Sequence, residues 1–393
     1  MSQKNKISFS EKKLIDFAYD SGFETGKKYS DLYRSIKKIS SYSNIKDINK
    51  KEIINDFVES SDSYFVEELK GLSEGCNIPI EKLLIIQKTI NNLFKVGCTT
   101  TLSTGVATKN NETFLTQNFD LLQDLHNYVD LILVPLIISK CKITRDTSGK
   151  YNYAFWGIPI LFEIPIMNDQ GLAFGGNSLL LTKDKSRFID EGNGMSIFLL
   201  ERLSMMTCKN VQEVADLWKK TTRAFRKKTR LFFWDGATSC WCDKKGEILI
   251  IEQTHNHFIS VFGDSQDITN APKDILWHTN HHQWLDPEKT GSIKIDEGVH
   301  THPSFIRANR AREILEENYG NVDLNVCKKI VRDHHNSKRS SYSICCHPDK
   351  NYLAKTIFSW ISMPKKMHIY WTRGSPCEYN FKHVDLSKKF DGN

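Results

Sequence analysis

Long hydrophobic runs are missing from this 393-residue chain. The longest, Leu131 to Ile138, is broken by Pro135 and falls far short of the roughly 18–20 apolar residues a membrane-spanning helix needs. The opening residues, MSQKNKISFSEKK, are polar and hold no apolar stretch of the kind found in a secretory signal. A cytoplasmic chain with no membrane partner is therefore expected. Charge of one sign does not gather into a block either, since the net +7 is spread along the sequence. The one dense basic run, KKTTRAFRKKTR at 219–230, is not a basic stripe with interleaved aromatics and reads as a solvated helix face with the turn after it. No nucleic-acid partner is expected.

Disulfide framework spacing is also absent. The ten cysteines are scattered through a chain long enough to bury a core without staples, so most are expected to be buried thiols. Glycine (21) and proline (10) are too scarce for a collagen-like or low-complexity chain, which leaves a folded globular protein. The phosphate-loop pattern GxxxxGKS/T, the serine-hydrolase GxSxG, the zincin HExxH and a GxGxxG between strand and helix do not occur, and those classes lose their support.

What is present divides the chain in two. Residues 11–94 read as helical, with apolar positions at Leu14, Phe17 and Ala18, at Ile53, Ile54, Phe57 and Val58, and at Ile80, Leu83, Leu84 and Ile90. The polar segment 41–51 reads as the loop between the first two helices, and Pro79 suits the first turn of the last. At Val96 the character changes to β-branched residues, with a turn at Lys109–Asn111 and a second strand-like run: a hairpin opening a β-rich region. Further strands are expected at Leu131–Ile138, Gly171–Phe174, Arg230–Trp234, Glu247–Glu252, Phe258–Phe262 and Met367–Trp371. Helices are expected at Met195–Met206, Val211–Thr222 and Pro303–Glu317. This partial segregation favours an α+β layered fold over a doubly wound sheet.

Cys240-Trp241-Cys242 precedes His255-Asn256-His257, and each i, i+2 pair on one strand face offers two zinc-type ligands. With a hairpin turn at 243–246, Cys242 lies opposite Glu247 and His255 opposite Trp234, leaving the pairs roughly 20 Å apart. Neither a metal nor a cofactor is expected.

Cys98 is more informative. It follows Gly97 at a helix-to-strand junction, where a strained peptide bond would let the thiolate attack the preceding carbonyl and cut the chain by an N–S acyl shift. Cys98 would then carry a free α-amine able to act as base for its own thiol. The same residue also reads as an inert buried thiol.

From these residues onward the chain resembles the penicillin acyltransferase family of N-terminal nucleophile proteins, which includes isopenicillin N acyltransferase and N-β-alanyl-dopamine hydrolase. Glu74-Gly75 matches the family's helical EG segment, and Gly97-Cys98-Thr99-Thr100 its self-cleavage site. Thr116-Gln117-Asn118-Phe119-Asp120 resembles GQNWD; Gly171-Leu172-Ala173 with Gly176-Asn177-Ser178 resembles GLA…GNS. His278-Thr279-Asn280-His281 matches HTNH. Asp333-His334-His335-Asn336, Ser343-Ile344-Cys345 and Thr356-Ile357-Phe358-Ser359 follow the family's order to the end.

The resemblance implies a four-layer αββα sandwich. It also implies autocleavage into a small helical subunit, 1–97, and a catalytic subunit, 98–393, that stay associated. The implied activity is that of a cysteine amidohydrolase breaking a small linear amide, of the N-acyl or β-alanyl-amine type, through a Cys98 thioester. An acyl-coenzyme A dependent acyltransferase and an uncleaved binding protein of the same fold are the alternatives. The implied site holds Cys98 as nucleophile, Asp120 as partner of its amine, Asn280 and Asn177 as amide donors to an oxyanion, and Asn118 from the QN pair; the partner is a small-molecule amide or acyl donor. A three-residue hairpin turn at 109–111 would pair Cys98 with Leu122 and set Asp120 diagonally on the same face, whereas a two-residue turn would put them on opposite faces. One departure stands out: the family commonly has SICR, and here Cys346 occupies the arginine's place. Either substrate preference changes, with His347 recruited nearby, or Cys346 simply packs.

Overall fold

The computed structural model describes residues 9–40, 49–93, 95–122, 137–179, 190, 192–225, 237–290, 302–334, 339–350 and 354–390. Most of the expected strand at 131–138, all of that at 230–234, most of the loop at 41–51, and His335 and Asn336 lie outside these residues.

Five helices come first: α1 (Phe9–Lys28), α2 (Ser30–Ser40), α3 (Lys50–Glu59), α4 (Ser63–Cys76) and α5 (Ile80–Leu93). Helices α1 and α4 cross at two small-residue pairs, Gly22 with Gly26 and Gly71 with Gly75. A Cβ on Gly71 or Gly75 would stand 2.0 or 2.1 Å from a carbonyl oxygen of α1, so only glycine lets these backbones touch. The EG match is thus a packing feature, and Tyr19 completes it by donating to Glu74 at 2.5 Å. Phe17, expected in the apolar stripe, is 47% exposed.

Two antiparallel sheets follow. The first has the order β10-β1-β2-β11-β12-β13: β1 is Lys95–Ser103, β2 Phe114–Leu122, β10 Ile275–His278, β11 Ala354–Met363, β12 His368–Arg373 and β13 Lys382–Asp385. The second runs β3 to β9 in chain order, with β3 Lys142–Asp146, β4 Tyr153–Ile158, β5 Phe162–Asn168, β6 Leu172–Ser178, β7 Ala237–Asp243, β8 Ile248–Gln253 and β9 Phe258–Phe262. The sheets pack face to face, β1 and β2 against β6 and β7. Between them Trp156 of β4 stacks on Phe358 of β11 at 4.6 Å. Outside the second sheet lie α6 (Ile197–Thr207) and α7 (Val211–Lys220); outside the first lie α8 (Pro303–Glu317) and α9 (Leu324–Val331). The fold is therefore an α+β sandwich of four layers, αββα.

Two registers differ from expectation. The β1–β2 connection spans 104–113 as two short 3₁₀ turns with Asn110 and Asn111 left-handed, so it is not a three-residue turn. Cys98 therefore pairs with Phe119 and Gly97 with Asp120, which sets the Cys98 and Asp120 side chains on opposite faces. In the β7–β8 hairpin Cys242 pairs with Ile248 rather than Glu247, and His255 sits in the turn beyond β8.

Candidate active site

Cys98 stands in regular strand three residues after β1 begins, and the peptide before it is trans with no positive φ at Gly97. Its location becomes special through what stops beside it. β10 pairs with β1 only from Thr100 to Ser103 and leaves the ladder after His278. The backbone groups of Cys98 beyond that end are met by side chains instead: Asn280 Oδ1 accepts the Cys98 N–H at 3.1 Å, and Arg307 Nη1 donates to the Cys98 carbonyl at 2.6 Å. Arg307 also donates to Thr99 Oγ1 (2.7 Å) and to Asn280 Oδ1 (2.7 Å), locking the asparagine's orientation.

A buried carboxylate fixes the loop that carries Asn280. Glu252 Oε1 accepts from His278 Nε2 (2.9 Å) and the Gln283 N–H, and Oε2 accepts from the N–H groups of Trp284 and Leu285. Burial works to raise this carboxyl, but the His278 hydrogen bond and neighbouring histidine charge overcome it and hold the group down at about 2. Ser304 Oγ accepts the Asn280 N–H at 2.9 Å, joining the loop to the start of α8, which presents Arg307 one turn later.

Asp120 lies on the Arg307 side of the strand. Its Oδ1 accepts from Thr356 Oγ1 (2.6 Å); its Oδ2, 3.9 Å from Arg307, has no hydrogen-bond partner among the described residues. A Cβ on Gly97 would come within 3.7 Å of both that oxygen and Arg307 Nη2, so the bare glycine leaves open the space between carboxylate and guanidinium. Burial pushes Asp120 up to about 6 against the pull of Arg307 and Thr356. Burial, and next the Asp120 charge, push the Cys98 thiol well above its ordinary range.

On the inter-sheet side Cys98 lines a small cavity of about 40 Å³ walled by Phe119, Phe162, Phe174, Phe198 and Trp360, with Asn177 and Ser178 also in its lining. Two acids also line it: burial raises Glu201 to about 8, and raises Glu163 to about 7 against the pull of its ion-pair partner Arg202. Its aromatic walls set an apolar surface beside the thiol.

The sequence model of the acyl-coenzyme A:6-aminopenicillanic acid acyl-transferase family matches residues 106–378, more than half of the chain. The chain belongs to this family. It is thus an enzyme of the N-terminal nucleophile hydrolase/acyltransferase class, acting on an amide C–N bond. No curated protein sequence matches the chain. Among solved structures, a variant of the conjugated bile acid hydrolase from Clostridium perfringens is similar at 14% identity and TM-score 0.43, covering 75% of this chain and 95% of that one. Penicillin V acylase from Agrobacterium tumefaciens is similar at 13% identity and TM-score 0.42, covering 74% of this chain and 87% of that one.

Within this acyltransferase-family chain the expected residues divide. Cys98, Asp120 and Asn280 converge on one backbone position. Asn177 reaches the same cavity from β6, its Oδ1 accepting from Thr100 Oγ1 at 3.0 Å and its Nδ2 3.6 Å from Cys240 Sγ. Asn118 does not join them: both amide protons go to backbone carbonyls, Val331 (2.9 Å) and Ile344 (2.8 Å), so it ties β2 to the segments outside the sheet. Cys346, in the place of the family's arginine, is buried with its thiol 3.7 Å from the Ser341 carbonyl, and His347 faces other partners. The cation beside Asp120 comes instead from Arg307, which the sequence reading missed. Its signal was available, an arginine at a position of α8 whose neighbours Ser304, Ala308, Ala311 and Ile314 are all buried.

Proposed function

We propose that the protein is an autoprocessed cysteine amidohydrolase that breaks a small linear amide with an apolar acyl part through a thioester at Cys98. The carrying observation is the division of labour around one residue. The Cys98 thiol borders an apolar cavity, while its backbone nitrogen is held by Asn280 beside the unpartnered oxygen of Asp120. In maturation the Cys98 thiolate adds to the Gly97 carbonyl, the C–N bond breaks, the amine takes up a proton, and water hydrolyses the resulting thioester, leaving a Gly97 carboxylate and the free thiol. The freed amine stays against Asn280 Oδ1 and gains Asp120 as counter-charge.

In turnover this amine accepts the thiol proton, the sulfur attacks the substrate carbonyl, and the leaving amine departs with the proton. Asn177 and Asn280 are the amide donors available to the tetrahedral oxyanion, a role typically contributing about 3–4 kcal/mol per donor. Water then releases the acyl group. The family's acyl-coenzyme A name supports a second reading in which an amine takes the acyl group from the same thioester.

Intact mass decides whether processing occurs. Purified protein should contain fragments of 97 and 296 residues, roughly 11 and 34 kDa. Cys98→Ala should remain one chain. A cut elsewhere, or an active uncut chain, would sink the reading.

A further inference from the structure

Away from Cys98, four side chains from three separate segments meet: His334 just after α9, Cys345 and His347 in the following loop, and Cys377 in the turn after β12. Their ligand atoms all lie within 4.8 Å of one another. His347 Nε2 is the shared corner, 3.2 Å from His334 Nε2, 3.5 Å from Cys345 Sγ and 3.2 Å from Cys377 Sγ. Hydrogen bonding does not account for this. An imidazole Nε2 either donates one proton or accepts one, so three close neighbours exceed what it can bond. A tetrahedral ion does account for it: Zn–N of about 2.0–2.1 Å and Zn–S of about 2.3 Å set ligand-to-ligand edges of roughly 3.3 Å for N···N and 3.6 Å for N···S.

We propose that His334, Cys345, His347 and Cys377 form a tetrahedral Cys₂His₂ site for a zinc ion. Two thiols and two imidazoles are the donor set that selects zinc among divalent ions, and two thiolates cancel the ion's charge, so the filled site carries no net charge into the protein. Binding releases two thiol protons to solvent. The Glu378 carboxylate, itself paired with Arg339 and Lys355, stands 4.0 Å from His347 Nδ1 as its outer partner. With four protein ligands the site has no open position and is structural.

Its purpose follows from its neighbours. Ile344 accepts the Asn118 amide, and the Cys346 N–H donates to Thr356 Oγ1, which donates to Asp120. A zinc bound through Cys345 clamps the loop that braces both β2 residues from behind, with Cys377 fastening the turn after β12 to the same point.

Elemental analysis of the full protein, purified without added metal and dialysed, should find one zinc ion per chain. Replacement by cobalt(II) should give the thiolate-to-cobalt charge-transfer absorption and the strong visible bands of tetrahedral coordination. Cys377→Ser, on a partly exposed turn, and His334→Ala should each lose stoichiometric zinc, whereas Cys346→Ser, whose thiol points elsewhere, should keep it. A metal-free protein with Cys345 and Cys377 titrating as free thiols, or joined as a disulfide by non-reducing mass analysis, overturns the site. So does zinc that survives in both ligand variants.

Discussion

The side-chain oxygen of Asn280 accepts the backbone N–H of Cys98 at 3.1 Å, across a gap that β10 would have filled had it continued past His278. The register that pairs Thr100 with His278 carries forward to Cys98 opposite residue 280, so the chain leaves the ladder where one asparagine side chain can replace a strand. Two atoms of that side chain have separable jobs. Oδ1 holds the nitrogen; Nδ2, now bonded to the Ser178 carbonyl at 2.7 Å, is the donor available to an oxyanion. Asn280→Asp keeps the acceptor and deletes the donor, so fragments should still form while kcat falls about 10²–10³-fold with little change in KM. Asn280→Ala should impair both steps. Unchanged kcat in cleaved Asn280→Asp reassigns the residue to structure.

Asp120 should set the pH at which the enzyme awakens. A carboxylate beside the Cys98 ammonium favours its charged form and raises its pKa, so only above that value is the amine a base. Asp120→Asn should therefore shift the rising limb of the kcat/KM profile to lower pH while weakening turnover, because the amine loses its anchor. A limb that stays in place at wild-type rate removes Asp120 from the catalytic set.

The layers were legible in the sequence because their periodicities were strong. The helix at 303–317 and the strand at 258–262 begin and end where the pattern placed them. β4 and β5 were missed, since every residue in them is buried and a strand covered on both faces shows no alternation. The hairpin register escaped for a different reason: two left-handed asparagines let the 104–113 connection fold into 3₁₀ turns, which residue type alone does not separate from a tight turn. Ordered motifs brought out Cys98, Asp120, Asn177 and Asn280 as candidates, but Arg307 belongs to a segment where no quoted motif falls. The His334, Cys345, His347 and Cys377 cluster was invisible because its members come from three segments without finger-like spacing.

Arg202 should hold the two fragments together after cleavage. It donates to Glu68 of α4 through two bonds of 2.6 Å, and Asp146 and Glu163 lie 2.9 and 3.0 Å from it. Glu68 belongs to the segment that cleavage would free, and the rest of the cluster to the catalytic one. Removing the cation strands two buried carboxylates and the partly buried Asp146, so Arg202→Met should cost about 3–5 kcal/mol of stability, read from the urea midpoint. In cleaved protein it should also release the 97-residue fragment on gel filtration. A variant as stable as wild type, its fragments still bound, would show that glycine packing and apolar contacts suffice.

Glu201 should make stability fall as pH rises. Burial lifts its carboxyl to about 8 beside the cavity, with the Ser239 hydroxyl, 2.9 Å away, pulling the other way. A folded pKa above the unfolded value of about 4.3 means that the folded state binds the proton more tightly. The stabilisation is therefore complete below about pH 4 and declines by up to about 1.4 kcal/mol per unit until the folded pKa is passed. Glutamine keeps the shape and an oxygen for Ser239 but cannot ionise. Glu201→Gln should thus match wild type near pH 5 and exceed it near pH 8.5 in thermal midpoint, with a flatter profile between, where Glu163 and Asp120 leave a residual slope. Parallel profiles would mean that Glu201 is solvated or ionised in the folded state, and the cavity would then carry a charge beside Cys98, poorly suited to the apolar acyl group proposed for it.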